Sequence, residues 1–199
     1  MGADGKSAHS WRVLLLPFFE QKQLYDGYSF DEPWDGPNNS KLARQMPRVF
    51  SFAGTHVAGE SCSTNFVAIT GSKTVWPPSG RTSYFDVKDP HSRTIQFAEY
   101  NGPPIHWMSP VDLPFATMSF KVGDSAGVDS QYLDPAVAMV DGSVQRLSTS
   151  DITEGELRAM CTKNGSDGTP VPTHIQEMED ARLRQLKKAA MDREKGARD

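Results

Sequence analysis

The chain reads as an α+β domain, and three observations predict it. The first is AVAMVDGSVQRLS (136–148), where Asp141-Gly142 lies between two apolar-rich runs, the strongest short hairpin signature. The second is a set of short strand-like runs, RVFSF (48–52), TNFVAIT (64–70) and RTIQFAEY (93–100), each bounded by Gly, Pro or Ser. The third is Thr153-x-x-Glu156, a capping box ahead of Leu157, Met160 and Cys161. Together they predict an antiparallel sheet packed against one or two short helices, with long irregular loops.

Taken in order, residues 1–8 are polar and are expected to be disordered, and residues 9–168 are expected to form one globular domain. Ser10–Leu16 is apolar and runs into Pro17, which suits the first position of a helix over PFFEQKQLYDGY, with Gly27 as its stop. In DEPWDGPNN (31–39), Pro33 and Pro37 restrict φ and Asp35-Gly36 turns the chain. A short helix, SKLARQM, follows. Asn38 or Asn39 can cap its start, Leu42, Ala43 and Met46 share a face, and Pro47 ends it. The strand runs come next, and the hairpin is expected to turn through type I′ geometry, with positive φ at both Asp141 and Gly142. Asn164-Gly165 is expected to close the helix begun by the capping box. From Thr173 to Asp199 there are six acids and seven bases around a loose apolar stripe, so residues 169–199 read as a charged, solvated helical extension.

The totals exclude several classes. Apolar residues make up 37%, and Gly 16 with Pro 14 points to many loops. A net charge of −4 leaves no electrostatic footprint for nucleic acid or anionic lipid, and the tail's acids cancel its bases. The longest apolar stretch, VLLLPFF (13–19), is far short of a membrane span, and MGADGKSAHS cannot serve as a signal peptide. The chain as given therefore reads as soluble, without membrane contact. Cys62 and Cys161 permit one disulfide but imply none, and they read as two separate thiols.

Each chemical reading meets a simpler one. GESCS (59–63) places Ser63 where a serine elbow needs its second glycine. Asp86, Asp89 and His91 give D-x-x-D-x-H, and Asp124, Asp129 and Asp134 could gather around calcium, but the alternating acids of a calcium-binding loop are missing. Asp89-Pro90 and Asp134-Pro135 read as turn starts. The histidines (His9, His56, His91, His106, His174) share no recurrent spacing, and Asp31, Glu32 and Asp35 read as solvated loop charge. Trp34, Trp76 and Trp107 lie in Pro/Gly-rich loops, where they either stack on a ligand or lock the loops onto the core; the second reading is favoured. The expectation is no catalytic, cofactor-binding or metal-ligating residue, and no cofactor.

The order of the pieces resembles the bacterial domain-of-unknown-function family 1559, exported pseudopilin-like proteins with a prepilin-type N-terminal helix. HSWRVLLLPFFEQKQLYDGYSFDEPWDGPNN (9–39) carries the resemblance, supported by TNFVAITG, KDPHSRTI, IHWMSPVDLPF, AMVDGSV and LRAMCTKNG. The chain departs from the family pattern in having Gln131 where a histidine precedes the hairpin. It also has Asp89-Pro90-His91-Ser92-Arg93-Thr94 where the family tends to Asp-Gly-Thr-Ser-Asn-Thr. Only MGADGKSA precedes His9, so the family's anchor helix is expected to be missing. The resemblance implies a pseudopilin-head fold and a non-enzymatic structural or assembly role in a secretion or surface system. It also implies self-assembly or secretion-system partners, with the cell envelope as location. The alternative is a soluble extracytoplasmic module binding glycan or peptide through Trp34, Trp76 or Trp107.

Overall fold

A computed structural model describes residues 9–52 and 62–165. The expected disordered N-terminus, the charged extension over 169–199, His56, His174 and the first three residues of GESCS lie outside the described residues. The fold is α+β, with a mixed, mainly antiparallel sheet and a few short helices.

The chain enters through α1 (Trp11–Leu15), whose start is capped by the Ser10 hydroxyl accepting from Arg12 N–H. The long helix expected over PFFEQKQLYDGY is broken in two. A 3₁₀ turn at Leu16–Phe19 ends at Glu20, which takes φ 60°, and α2 (Lys22–Asp26) follows with Gly27 as its C-cap. SKLARQM is likewise a 3₁₀ helix, Asn39–Gln45, and Met46 turns extended ahead of Pro47, as the clash before a proline requires.

RVFSF is not a strand. Arg48–Phe50 forms a 3₁₀ turn, because Phe50 N–H closes onto Pro47 C=O and the Phe50 side chain sinks into the core. Sheet pairing begins later. The two-residue strands β1 (Ser63–Thr64) and β4 (Ile105–His106) make an antiparallel ladder of their own. The main sheet runs β5 (Leu113–Pro114), β2 (Phe66–Thr70), β3 (Ile95–Glu99), β6 (Ala136–Met139), β7 (Val144–Arg146). All its neighbours are antiparallel except β5 and β2.

The hairpin forms where the sequence places it, with a different turn. Met139 N–H pairs with Ser143 C=O, so the loop has three residues, Val140–Gly142. Gly142 is at φ 88° while Asp141 stays on the negative side, which is the geometry of a type I turn closed by a glycine bulge. The Asp141 carboxylate accepts from both Ser143 N–H and Ser143 Oγ–H and holds the turn.

Alternation along the strands, shifted by a bulge between Ile95 and Phe97, directs Val67, Ile69, Ile95, Ala98, Val137 and Met139 to one face, where Leu157, Met160 and Cys161 of the last helical segment cover them. That helix, α3 (Glu154–Met160), carries the expected capping box in full: Thr153 Oγ1 accepts from Glu156 N–H, and Glu156 accepts from Thr153 N–H. It ends at Cys161, short of Asn164-Gly165; Asn164 Oδ1 instead accepts from Lys88 N–H. A second cluster gathers Val13, Leu16, Leu24, Tyr28, Met46, Phe50, Trp107 and Met108 beneath the N-terminal turns. The chain therefore has two apolar centres, joined through β1–β4 and through the start of α1.

Candidate functional site

Among the described residues, a dense buried polar network lies at the junction between those two centres. Arg12 stands in an otherwise apolar run on α1, and its side chain is fully buried. Its Nη2 donates to Asp112 Oδ1 at 2.7 Å and to Phe66 C=O at 2.6 Å, and Nε adds a second bond to Phe66 C=O at 3.1 Å. Nη1 donates to Ser10 Oγ at 3.0 Å and to Ser109 C=O at 3.4 Å. Asp112 Oδ1 in turn accepts from Ala68 N–H at 2.9 Å and from Trp11 Nε1–H at 3.1 Å. Phe66 C=O and Ala68 N–H belong to the outer edge of β2, which β5 pairs only at Ile69 and Thr70. An ion pair thus takes the place of a neighbouring strand along half of that edge, leaving its backbone groups satisfied.

Burial pushes the Asp112 carboxyl up and the Arg12 guanidinium down, and the attraction between them opposes both shifts. The hydrogen bonds from Ala68, Trp11 and Arg12 further favour the Asp112 carboxylate. Such a pair is worth little against an apolar replacement, but breaking it strands a buried charge. Its effect here is positional, fixing α1 against the sheet at one register.

Above this junction lies an aromatic face. The Trp11 ring sits 4.3 Å from Phe97 and 6.0 Å from Trp76, and Trp76 is 5.2 Å from Phe97. Arg12 lies 4.5 Å from the Trp11 ring centre, a cation–π contact. Phe97 alternates with Ala98, so these rings lie on the sheet face away from the main core, and all three are half-buried. Trp76 is oriented by its Nε1–H bond to Gln96 C=O at 2.8 Å.

The loop tryptophans thus have separate roles. Trp107 is sealed in the second core, its Nε1–H donating to Ala43 C=O at 2.8 Å. Trp34 is half-buried against His106, ring centres 4.7 Å apart. Asn39 organises the DEPWDGPNN corner from inside, where it is fully buried. Its Nδ2 donates to Ser29 C=O at 2.8 Å and Pro33 C=O at 3.0 Å, and its Oδ1 accepts from Ser29 N–H at 2.8 Å. Neither Asn38 nor Asn39 caps the following helix. Glu32 does, its Oε1 accepting from Asn38 N–H at 2.8 Å and Asn39 N–H at 2.6 Å. Gly36 is needed for close approach there, since a Cβ would meet the Glu32 side chain at 2.7 Å. The Tyr28 hydroxyl beside this corner is pushed up to about 12, first by burial and then by Glu32 and Asp35.

The residues considered for catalysis or metal binding fill local structural roles. Asp86 Oδ2 accepts from Ser83 N–H in a capping box, and Asp89 Oδ2 accepts from Gly165 N–H. His91 is buried with its ring 4.0 Å from Tyr84, and His106 lies apart from them at Trp34. Asp124 accepts from Ala126 N–H, which holds its carboxyl below the ordinary range. Among the described residues no three His, Cys, Asp or Glu side chains form a metal-holding group, and no helix is long and apolar enough to cross a membrane. Cys62 and Cys161 are both free thiols, and burial pushes Cys161 up to about 12.

Sequence reasoning missed Arg12, Asp112 and the capping role of Glu32. The available signal was a lone charge inside an apolar run, WRVLLL and SPVDLPF, which costs too much to bury unpartnered. No curated protein and no solved structure matches the chain. Residues 1–51, which contain Trp11, Arg12, the Asn39 corner and the 3₁₀ turn at Arg48–Phe50, match the family model described as a protein of unknown function, DUF1559.

Proposed function

We propose that this protein is a non-enzymatic, pseudopilin-like component of a secretion or surface assembly at the cell envelope. The observation that carries the reading is that the family-matched segment is locked to the sheet edge by Arg12 and Asp112. A segment held this way passes any displacement of α1 directly to the sheet, as a head on a shared assembly needs. Among the described residues, the carboxylates of Glu32, Asp86, Asp89 and Glu156 accept from backbone N–H groups of caps and turns. The partners of this reading are copies of the chain or other components of the same system. A glycan- or peptide-binding role through the three loop tryptophans is less favoured, because Trp107 is fully buried.

Fractionation of native cells, with N-terminal sequencing of the protein recovered, tests the reading. A membrane-fraction protein beginning with a processed prepilin-type apolar helix supports it. A protein that starts at Met1 and stays in the soluble fraction overturns it.

A further inference from the structure

The C-terminal end of α3 borders an open cleft of about 660 Å³ that plays no part in the N-terminal junction. Lys73, Arg158 and Lys163 contribute all its charged lining, Phe115 contributes an aromatic wall, and Thr162 and Asn164 add polar groups. Among the described residues no acidic side chain lines it. The volume lies within the range of small-molecule sites, roughly 300–1,000 Å³.

Two of the three basic residues have placed side chains. The Arg158 guanidinium lies 4.2 Å from the Phe120 ring centre and 5.3 Å from that of Phe115, so it rests on an aromatic platform. The Lys163 backbone N–H donates to Lys73 C=O at 2.9 Å, tying the two lysine-bearing segments together, and Lys163 Nζ reaches Thr82 Oγ1 at 3.2 Å. The only ion pairs among the described residues, Arg12–Asp112 and Lys22–Asp26, involve none of these three. Three basic residues therefore line one concave surface in a chain whose net charge is −4. Like charges lining one surface repel unless an anion joins them.

We infer that this cleft binds a small polyanion, a molecule carrying two or more carboxylate or phosphate groups, with Arg158 as a planar bidentate contact and Lys73 and Lys163 as flanking point charges. This site is independent of the assembly role proposed above.

Calorimetric titration of the full chain with citrate and, separately, with inorganic pyrophosphate at low salt tests the inference. At least one probe should bind with a sub-millimolar Kd that weakens as NaCl is added. Lys73→Gln and Arg158→Gln should each weaken it at least fivefold without lowering Tm, while Arg44→Gln, an exposed base outside the cleft, should leave it unchanged. Binding of citrate alone assigns carboxylates, and binding of pyrophosphate alone assigns phosphates. No heat with either probe overturns the site, as does equal weakening by Arg44→Gln, which would mean diffuse charge attraction only.

Discussion

Asn39 shows how one side chain can hold a corner that prolines only outline. Its buried amide faces three carbonyl oxygens, of Ser29, Glu32 and Pro33, and the Ser29 N–H. Asn39→Ala leaves those groups unsatisfied and should cost about 2–3 kcal/mol. Asn39→Asp, nearly the same shape, should cost more, because it turns a carboxylate oxygen toward Ser29 and Pro33 C=O. Urea denaturation of both variants checks the order, and an Asn39→Asp protein as stable as Asn39→Ala would refute the donor assignment. His106 makes a second residue-scale case. Its Nδ1 accepts from Met108 N–H at 3.2 Å, so the ring is neutral with its proton on Nε2, and burial lowers its pKa from 6.5 despite the attraction of Asp35. The unfolded chain then binds the proton first. This contribution to stability is complete above pH 6.5 and is lost as pH falls from there through the lowered folded value. We expect stability to decline over that window, and His106→Asn to flatten the decline; an unchanged slope would mean that other groups cause it.

At the scale of elements, local chemistry governs ends and turns. Gly142 at φ 88° has open space around an added Cβ, so Gly142→Ala meets only the left-handed backbone penalty, about 1–2 kcal/mol. Glu20 already carries that penalty at φ 60°, where the chain breaks between the 3₁₀ turn and α2. Glu20→Gly should therefore raise stability by up to about 1 kcal/mol. Thermal melts of the two variants should move in opposite directions, and a destabilised Glu20→Gly would show that the Glu20 side chain contributes more than its backbone costs. Thr153→Ala removes one side of a complete capping box and should cost about 1 kcal/mol, read from the same melts.

Over the whole molecule, Arg12 and Asp112 tie α1 to the sheet edge between the two apolar centres. Asp112→Ala leaves a buried guanidinium without its counter-charge and should cost about 3–5 kcal/mol. Replacing both partners with leucine should cost less than the sum of the single changes, since no charge is then stranded. A double-mutant cycle by urea denaturation measures this, and strict additivity would mean that the pair does not couple α1 to β2. The aromatic face of Trp11, Trp76 and Phe97 depends on the same clamp, because Trp11 Nε1–H is bonded to Asp112. Trp11 fluorescence should report the loss of the clamp before global unfolding.

Features that depend on neighbours in the chain were legible in the sequence. The hairpin at Asp141-Gly142, the strands within TNFVAIT and RTIQFAEY, and the Thr153–Glu156 box all follow from residues within a few positions of one another. The family resemblance concentrated in residues 9–39, and the family match covers that stretch. Features that depend on distant partners were not legible. RVFSF has strand-like composition, yet Phe50 is drawn into a core shared with Trp107, so tertiary burial overrides propensity. Asn38 and Asn39 look like caps, but Glu32 folds back over Gly36 to take that role and frees Asn39 to bind the corner from inside. Arg12 and Asp112 are 100 positions apart. Each alone is only a charge in an apolar run, and it was the packing of α1 against the open edge of β2 that made them a pair. Short-range sterics and hydrogen bonding made the position of the Asp141-Gly142 hairpin, the Thr153–Glu156 cap and the α+β class legible from the chain order alone. The tertiary structure alone decided which polar groups are buried and whom they meet, because desolvation makes those groups costly until a partner from elsewhere in the chain arrives.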